Sequence, residues 1–222
     1  PHYLVAVQTL FQDNTKGIGA YALPGRNYAN NIGFAHNTIG GSTSGPCVGC
    51  HMSSPNSTTD ETIGKHSFLP VTRLTDGTIT AITSTKCAEC HGVTTAAISV
   101  SSLNATKTLD NTRVAEFKIR LEANNIFPNA AGSQFYSDAA GASAGTSSKQ
   151  IKNWATRAAA IPPAGGFAQL DGYDLWGIAF NYCYLKGETR EPGHYAHNSV
   201  YVNRLIFDAI TALNGTPSFT RP

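Results

Sequence analysis

Charged residues, methionine and long hydrophobic runs are all scarce in this sequence. Asp, Glu, Lys and Arg make up 14% of its 222 residues, whereas typical soluble domains contain about 25%. No run of about eighteen apolar residues occurs, so no membrane-spanning helix is predicted. The formal net charge is +2 and no basic run is present, which argues against nucleic acid as a main partner. This weakly charged composition favours an extracellular or assembled protein.

The sequence starts at Pro1 rather than at Met. We therefore expect that a leader peptide has been removed and that none remains in the sequence. The length fits one large domain, or one domain with a structured appendage.

Four of the five cysteines lie in two copies of one motif. Residues 47–51 read CVGCH and residues 87–91 read CAECH, and C-x-x-C-H is the attachment motif of c-type haem. The spacing lets a helical turn present both thiols to one porphyrin edge, where they add to the vinyl groups, and the histidine then lies under the iron. The sequence thus predicts two covalently bound c-type haems. The predicted attachment residues are Cys47, Cys50, Cys87 and Cys90, and the predicted proximal iron ligands are His51 and His91.

Two other uses of cysteine pairs remain as alternatives. The four motif cysteines have a plausible spacing for a zinc site, but zinc does not account for the histidine after each pair. A thioredoxin-like dithiol needs only one pair, beside a βαβ pattern that is absent here. The fifth cysteine, Cys183, lies in the apolar stretch YDLWGIAFNYCYL and is predicted to be a buried, unreactive thiol.

The sixth ligand of each iron decides between electron transfer and catalysis. The single methionine, Met52, directly follows His51, so it cannot reach the distal side of the same haem. Methionine ligation is therefore disfavoured. Histidines outside the motifs are the alternative, with His2 and His194 ranked below the rest. The candidate distal ligands are His66, His197 and His36.

The sequence predicts a mixed fold that is mostly irregular and α-helical. Residues 1–106 are predicted to form an extended N-terminal arm and a loop-rich dihaem section, with short strands joined at Asp76-Gly77. Residues 107–222 are predicted to form a helical section that packs on the haems. Four helices are predicted there, with a long loop of Gly, Ala and Ser after the first. Their predicted N-caps are Asn111 or Thr112, Ser147 or Ser148, Asp171, and Asn198 or Ser199.

The segments CVGCHM, GKHSFLP and FNYCYLKGETREPGHYAHNSVYVNRLIFDAI resemble multihaem c-type cytochromes of metal-reducing bacteria. The resemblance covers about half of the chain. It implies closely stacked bis-histidine haems and electron transfer, and in some members polymerisation into extracellular cytochrome filaments. In related cytochromes a Gly-aromatic-x-His-Asn stretch supplies a distal ligand, which implies that role for His197. Relatives often carry more haems than the two motifs of this chain allow, which leaves much of the chain for structural work or partner contact.

Three functions fit these observations. The first is an electron carrier that is not an enzyme, in which histidines ligate both irons on both sides. The second is a haem enzyme, such as a dihaem peroxidase or a small-molecule reductase, which needs one open iron. The third is a filament or surface-layer subunit whose haems are incidental. Because histidines outnumber the open iron positions, we expect the first.

Location and partners follow from the same chemistry. Covalent haem is attached outside the cytoplasmic membrane, so we expect an extracellular or cell-surface protein, with the periplasm as the alternative. The expected partners are other copies of this chain, other redox proteins and extracellular electron acceptors. Low charge lets identical copies approach, and a head-to-tail contact that does not close forms a filament. His2 and His36 lie in the predicted arm, from which either could ligate a neighbour's haem.

Overall fold

The structure is a computed structural model that describes residues 9, 20–28, 36, 47, 50–51, 70–92, 98–186 and 193–222. Most of the predicted N-terminal arm lies outside these residues, as do Met52 and the candidate ligand His66. Thr9 is helical, although an extended arm was expected. Its hydroxyl hydrogen-bonds the hydroxyl of Tyr184 at 2.6 Å.

Backbone contacts divide the chain into two compact units. We call residues 33–109 the haem-motif unit, and residues 1–32 with 110–222 the helical unit. The predicted division of the chain at residue 106 stays a prediction.

A β-hairpin forms at Asp76-Gly77, as predicted. Strand β1 (Val71–Arg73) pairs antiparallel with β2 (Ile79–Ile82). The Asp76 carboxylate accepts a hydrogen bond from the amide of Thr78 at 2.8 Å. Gly77 has a φ of 82°, a conformation that glycine adopts without steric cost.

The hairpin leads directly into helix α1 (Thr85–His91), which carries the second C-x-x-C-H motif. The amides of Thr83 and Ser84 both donate to the carbonyl oxygen of Pro70, at 2.9 and 3.0 Å. These two hydrogen bonds connect the residues just before α1 to Pro70, the residue just before β1. The position of the hairpin therefore fixes where the motif helix begins.

Helix α2 (Val100–Ala123) starts well before the predicted caps at Asn111 and Thr112, so that prediction is wrong. Ser99 provides the earlier start, because its hydroxyl accepts a hydrogen bond from the amide of Ser102 at 3.0 Å, as an N-cap does. The first half of α2 reads VSSLNATKTLD. It has too few apolar residues to show a helical stripe, which is why the sequence pattern missed it.

The predicted Gly/Ala/Ser loop at 130–148 is also wrong in part. Strand β3 (Phe127–Pro128) pairs antiparallel with β4 (Phe135–Tyr136), and α3 (Ala139–Ala144) follows, with Asp138 as its N-cap. Both residues of β4 are buried. Burial of these two aromatic side chains gives the segment a fixed structure that its small residues alone do not indicate.

Helix α4 (Trp154–Ala159) begins later than the predicted caps at Ser147 and Ser148. Residues Ser147–Lys149 form a 3-10 turn, and residue 150 bridges to the strand residue Tyr136, which takes this stretch out of any α-helix. The amide side chain of Asn153 caps α4 instead.

The two long C-terminal helices have the predicted N-caps. Helix α5 (Gly172–Leu185) starts with a capping box built by Asp171. The short helix α6 (His194–His197) precedes α7 (Ser199–Ala212), which Asn198 caps. The predicted apolar face of the last helix is completely buried, and it comprises Val202, Leu205, Ile206, Ala209 and Leu213.

The hydrophobic core of the helical unit lies among α2, α5 and α7. The predicted fold class is confirmed, since the described chain is mainly helical with short strands and irregular connections. No helix in the described ranges is long and apolar enough to cross a membrane. The large side chains that are fully buried in this core include Phe117, Leu121, Leu175, Ile178, Leu185, Leu205 and Ile206.

Candidate haem sites

The second motif lies on α1, with Cys87 half-buried and Cys90 exposed. Residues three apart on a helix lie on the same side, so the two thiols can reach one porphyrin edge. Burial raises the pKa of the Cys87 thiol, and a hydrogen bond with Ser84 opposes this rise. His91 ends the helix, directly after the second thiol, as a proximal ligand must.

The first motif has the same local form, since Cys47, Cys50 and His51 are helical. Burial, together with the nearby thiols of Cys87, Cys47 and Cys90, raises the pKa of Cys50 to about 11. This mutual influence means that the four cysteines share one neighbourhood of the haem-motif unit. Within the described ranges, no group of three or more His, Cys, Asp or Glu side chains could hold a metal ion.

His36 lies beside His91, the predicted proximal ligand of the second motif. The ring centres of His36 and His91 are 5.9 Å apart and the ring planes are inclined by 85°. An imidazole nitrogen binds a metal ion at about 2 Å, and the ring centre lies roughly 1 Å further out. Two imidazoles on opposite sides of one ion thus have centres about 6 Å apart. The separation of these two rings fits ligation of one iron by both.

The imidazole of His197 lies against Gly193. A Cβ atom placed on Gly193 would lie 2.7 Å from Cε1 of His197, 3.0 Å from Nδ1 and 3.1 Å from Nε2. The nitrogen-bearing edge of the ring therefore faces the chain's own backbone one helical turn earlier. Its predicted role as a distal ligand stays a prediction.

His194 is buried beside a carboxylate. Only 2% of the residue is exposed, and Nδ1 lies 3.5 Å from Oδ2 of Asp110, which is itself 1% exposed. From the sequence, His194 is a weaker candidate than the others because it lies near the Pro192-Gly193 turn. The residues around His194 in the sequence do not indicate this partner, because Asp110 lies on α2, far from His194 along the chain.

The remaining predicted residues divide into two groups. Cys183 is partly buried and packs against the core of the helical unit, as an unreactive thiol would. His66 and Met52 lie outside the described residues. Their predicted roles are unchanged by the structure.

Two C-x-x-C-H motifs in one chain are typical of a multihaem c-type cytochrome. The chain is 37% identical over 220 residues to the C-type polyheme cytochrome OmcB of Geobacter sulfurreducens. It is 36% identical over 220 residues to the C-type polyheme cytochrome OmcC of the same organism. Both matches cover 94% of this chain. No family model and no solved structure matches the chain.

Sequence similarity over nearly the whole chain thus makes it a relative of the multihaem c-type cytochromes, and this confirms the predicted resemblance. The chain spans about a quarter of the length of these relatives, 26% of OmcB and 25% of OmcC. Their names say nothing about filaments, so that part of the resemblance stays a prediction.

Proposed function

We propose that the chain binds two c-type haems covalently and transfers electrons through them. The first haem is attached to Cys47 and Cys50, and the second to Cys87 and Cys90. The carrying observation is the imidazole pair of His36 and His91, whose ring centres lie 5.9 Å apart.

The proximal ligands in this proposal are His51 and His91, and His36 is the distal ligand of the second haem. When bound, haem supplies one-electron chemistry at its iron. With haem bound, His36 and His91 would both hold the iron of the second haem, and this would keep water and small substrates from it. In an electron carrier the first haem would be closed in the same way by His66 or His197, whereas the alternative, a dihaem peroxidase or small-molecule reductase, would leave that position open.

Location and assembly belong to the same proposal. Because c-type haem is attached outside the cytoplasmic membrane, the protein acts at the cell surface or outside the cell, with the periplasm as the alternative. Its partners are other redox proteins, extracellular electron acceptors and other copies of the chain, with which it forms a polymeric conduit. His36 lies beside His91 of its own chain, so a ligand that crosses from the N-terminal arm to a neighbour would be His2.

The haem count is tested first. Denaturing mass spectrometry of protein made with its haem-attachment machinery should give the polypeptide plus two haems. Its electron paramagnetic resonance spectrum should contain low-spin iron only. A polypeptide mass without haem would reject the proposal, and a chain that stays monomeric at high concentration would reject the polymer.

The distal ligand is tested by substitution. His36→Ala should convert one haem per chain to high-spin iron that binds carbon monoxide. His36→Met is the matched variant, because a thioether also ligates iron. It should keep that haem low-spin and raise its reduction potential. Wild-type protein that already binds carbon monoxide at one haem per chain would favour the enzyme instead.

A further inference from the structure

A basic cavity of about 440 Å³ lies beside α4 in the helical unit. Three of the residues that line it are cations, namely Lys149, Lys152 and Arg157. None of its lining residues, all of which lie in the described range 98–186, is acidic. The sequence contains no Asp or Glu at all from residue 139 to residue 160. In a chain with a net charge of only +2, this cavity is a local concentration of positive charge.

Hydrogen bonds fix the walls of this basic cavity. The amide of Ser137 donates to the carbonyl oxygen of Lys149 at 2.9 Å, and Ile151 packs against the core of the helical unit. The side chain of Asn153 caps α4 by accepting from the amide of Thr156 at 3.1 Å. The donors on α4 and those on the preceding segment are therefore held in a fixed arrangement.

Only one of the three cations has an acidic partner within the described residues. Nζ of Lys149 lies 3.1 Å from Oδ2 of Asp138. Hydrogen bonds from the amide of Gly141 and from Lys149 lower the pKa of Asp138, so this carboxylate stays ionised at neutral pH. The ion pairs of the described ranges include neither Lys152 nor Arg157. Arg157 is half-buried, and the cavity is left with two uncompensated positive charges.

We propose that this cavity binds a phosphate group, either as free phosphate or as the phosphate monoester of a larger ligand, through Lys152 and Arg157. A phosphate monoester carries a charge of about −1.5 to −2 at pH 7 and three strong acceptor oxygens, which matches the two uncompensated cations. The guanidinium fork can bind two of these oxygens, and the ammonium group acts as a point charge. Asn153 and Thr156 line the same cavity and add neutral donors. A carboxylate has less charge and fewer oxygens to offer these groups.

A second cavity of the helical unit lacks this excess of positive charge. It has a volume of about 210 Å³, and its lining includes Lys118 and Glu122. These two side chains pair with each other at 2.6 Å. Substitution of Lys118 therefore removes a cation of the same unit and leaves the basic cavity intact, which makes it the matched control.

Calorimetry on the haem-loaded full chain, with inorganic phosphate as the ligand, tests the proposal. We expect one phosphate per chain, bound more tightly than acetate and more weakly as sodium chloride is added. Arg157→Gln and Lys152→Gln should each weaken binding about tenfold or more, because each removes a charge-assisted hydrogen bond. Arg157→Lys keeps the charge without the fork and should recover part of the affinity. Lys118→Gln should bind as the wild type does.

Vesicles of phosphatidylcholine with and without phosphatidic acid separate the two sources of the phosphate group. A chain that sediments only with the vesicles that contain phosphatidic acid, and no longer does so as Arg157→Gln, binds a lipid headgroup. A chain that binds inorganic phosphate and sediments with neither kind of vesicle binds a soluble ligand. Either result supports the proposal.

Three results would overturn it. These are no binding of phosphate in either form, acetate bound as tightly as phosphate, and an equal loss of affinity in Lys118→Gln, since each would mean a solvated basic surface. Circular dichroism checks the fold of every variant, and Lys152→Gln, at an exposed position, carries the test if Arg157→Gln does not fold. The haem count is measured by mass on the same samples, so a failure here leaves the proposed function in place.

Discussion

At the scale of a single residue, Gly177 decides how the segment 20–28 packs on α5. A Cβ atom at Gly177 would lie 2.3 Å from Cγ and Cδ1 of Tyr21. The Tyr21 backbone is fixed as well, because the side chain of Asn181 accepts from its amide at 2.5 Å and donates to its carbonyl at 2.8 Å. The tyrosine ring therefore cannot move away freely, and only glycine fits beneath it.

We predict that Gly177→Ala destabilises the protein by about 1–3 kcal/mol, the usual cost of an overpacked core. The helical preference for alanine, worth roughly 0.5–1 kcal/mol, offsets only part of that. Urea unfolding measured by circular dichroism gives the difference in unfolding free energy. In a Tyr21→Ala background the same substitution should be neutral or stabilising. An equal loss in both backgrounds would refute the clash.

At the scale of elements, the amide side chain of Asn104 connects helix α2 to the hairpin. Asn104 donates from Nδ2 to the carbonyl of Ile79 at 2.8 Å and accepts from the Ile79 amide at 3.0 Å. Ile79 is buried in β2, so Asn104 replaces the partner that a third strand would provide. Because the hairpin precedes α1, this contact also supports the second haem motif.

Asn104→Ala should leave two backbone groups of Ile79 without partners. Each unpaired buried group costs about 1–3 kcal/mol, so we expect a loss of roughly 2 kcal/mol or more in unfolding free energy. Ser101→Ala, at an exposed position of the same helix, is the control and should change stability by less than about 0.5 kcal/mol. Equal effects of the two substitutions in denaturant unfolding would contradict the bridging role.

At the scale of the whole helical unit, Arg221 ties the C-terminal residues to the buried face of α7. Its Nε lies 2.9 Å from Oδ1 of Asp208, and its Nη2 donates to the carbonyl of Asn27 at 2.9 Å. The Asp208 side chain is 1% exposed. The hydrogen bond with this carboxylate raises the pKa of Arg221. One guanidinium therefore neutralises a buried charge and connects sequence-distant parts of one unit.

Removal of this arginine should be severe. Arg221→Ala leaves the Asp208 carboxylate buried and unpaired, which typically costs about 3–5 kcal/mol. Lys118→Ala removes a partly exposed ion pair with Glu122 and should cost about 0.5 kcal/mol or less. Thermal and urea unfolding of the two variants provide the comparison. Adding Asp208→Asn to Arg221→Ala should recover part of the loss, whereas no recovery would mean that burial of the charge is not the cause.

Local patterns correctly indicated several elements of the fold. Asp76-Gly77 predicted the hairpin, and Asp171 and Asn198 predicted two helix starts, because turns and caps depend on a few adjacent residues. The haem-attachment motifs can be recognised from the sequence for the same reason, since the attachment chemistry needs only two thiols and a histidine at fixed spacing. The sequence missed the early start of α2 and the pair β3–β4, which depend on contacts with distant segments.

The sequence by itself determined where haem can be attached and which histidine follows each attachment site. The sequence also offered His66, His197 and His36 as candidate distal ligands, but only the tertiary structure shows which described histidine lies beside a motif histidine. It places His36 beside His91 and gives His194 a buried carboxylate partner. Neither contact could be predicted from the residues next to these histidines in the sequence. The physical reason is that a distal ligand is selected by position in space, and the residues that set that position lie far apart along the chain.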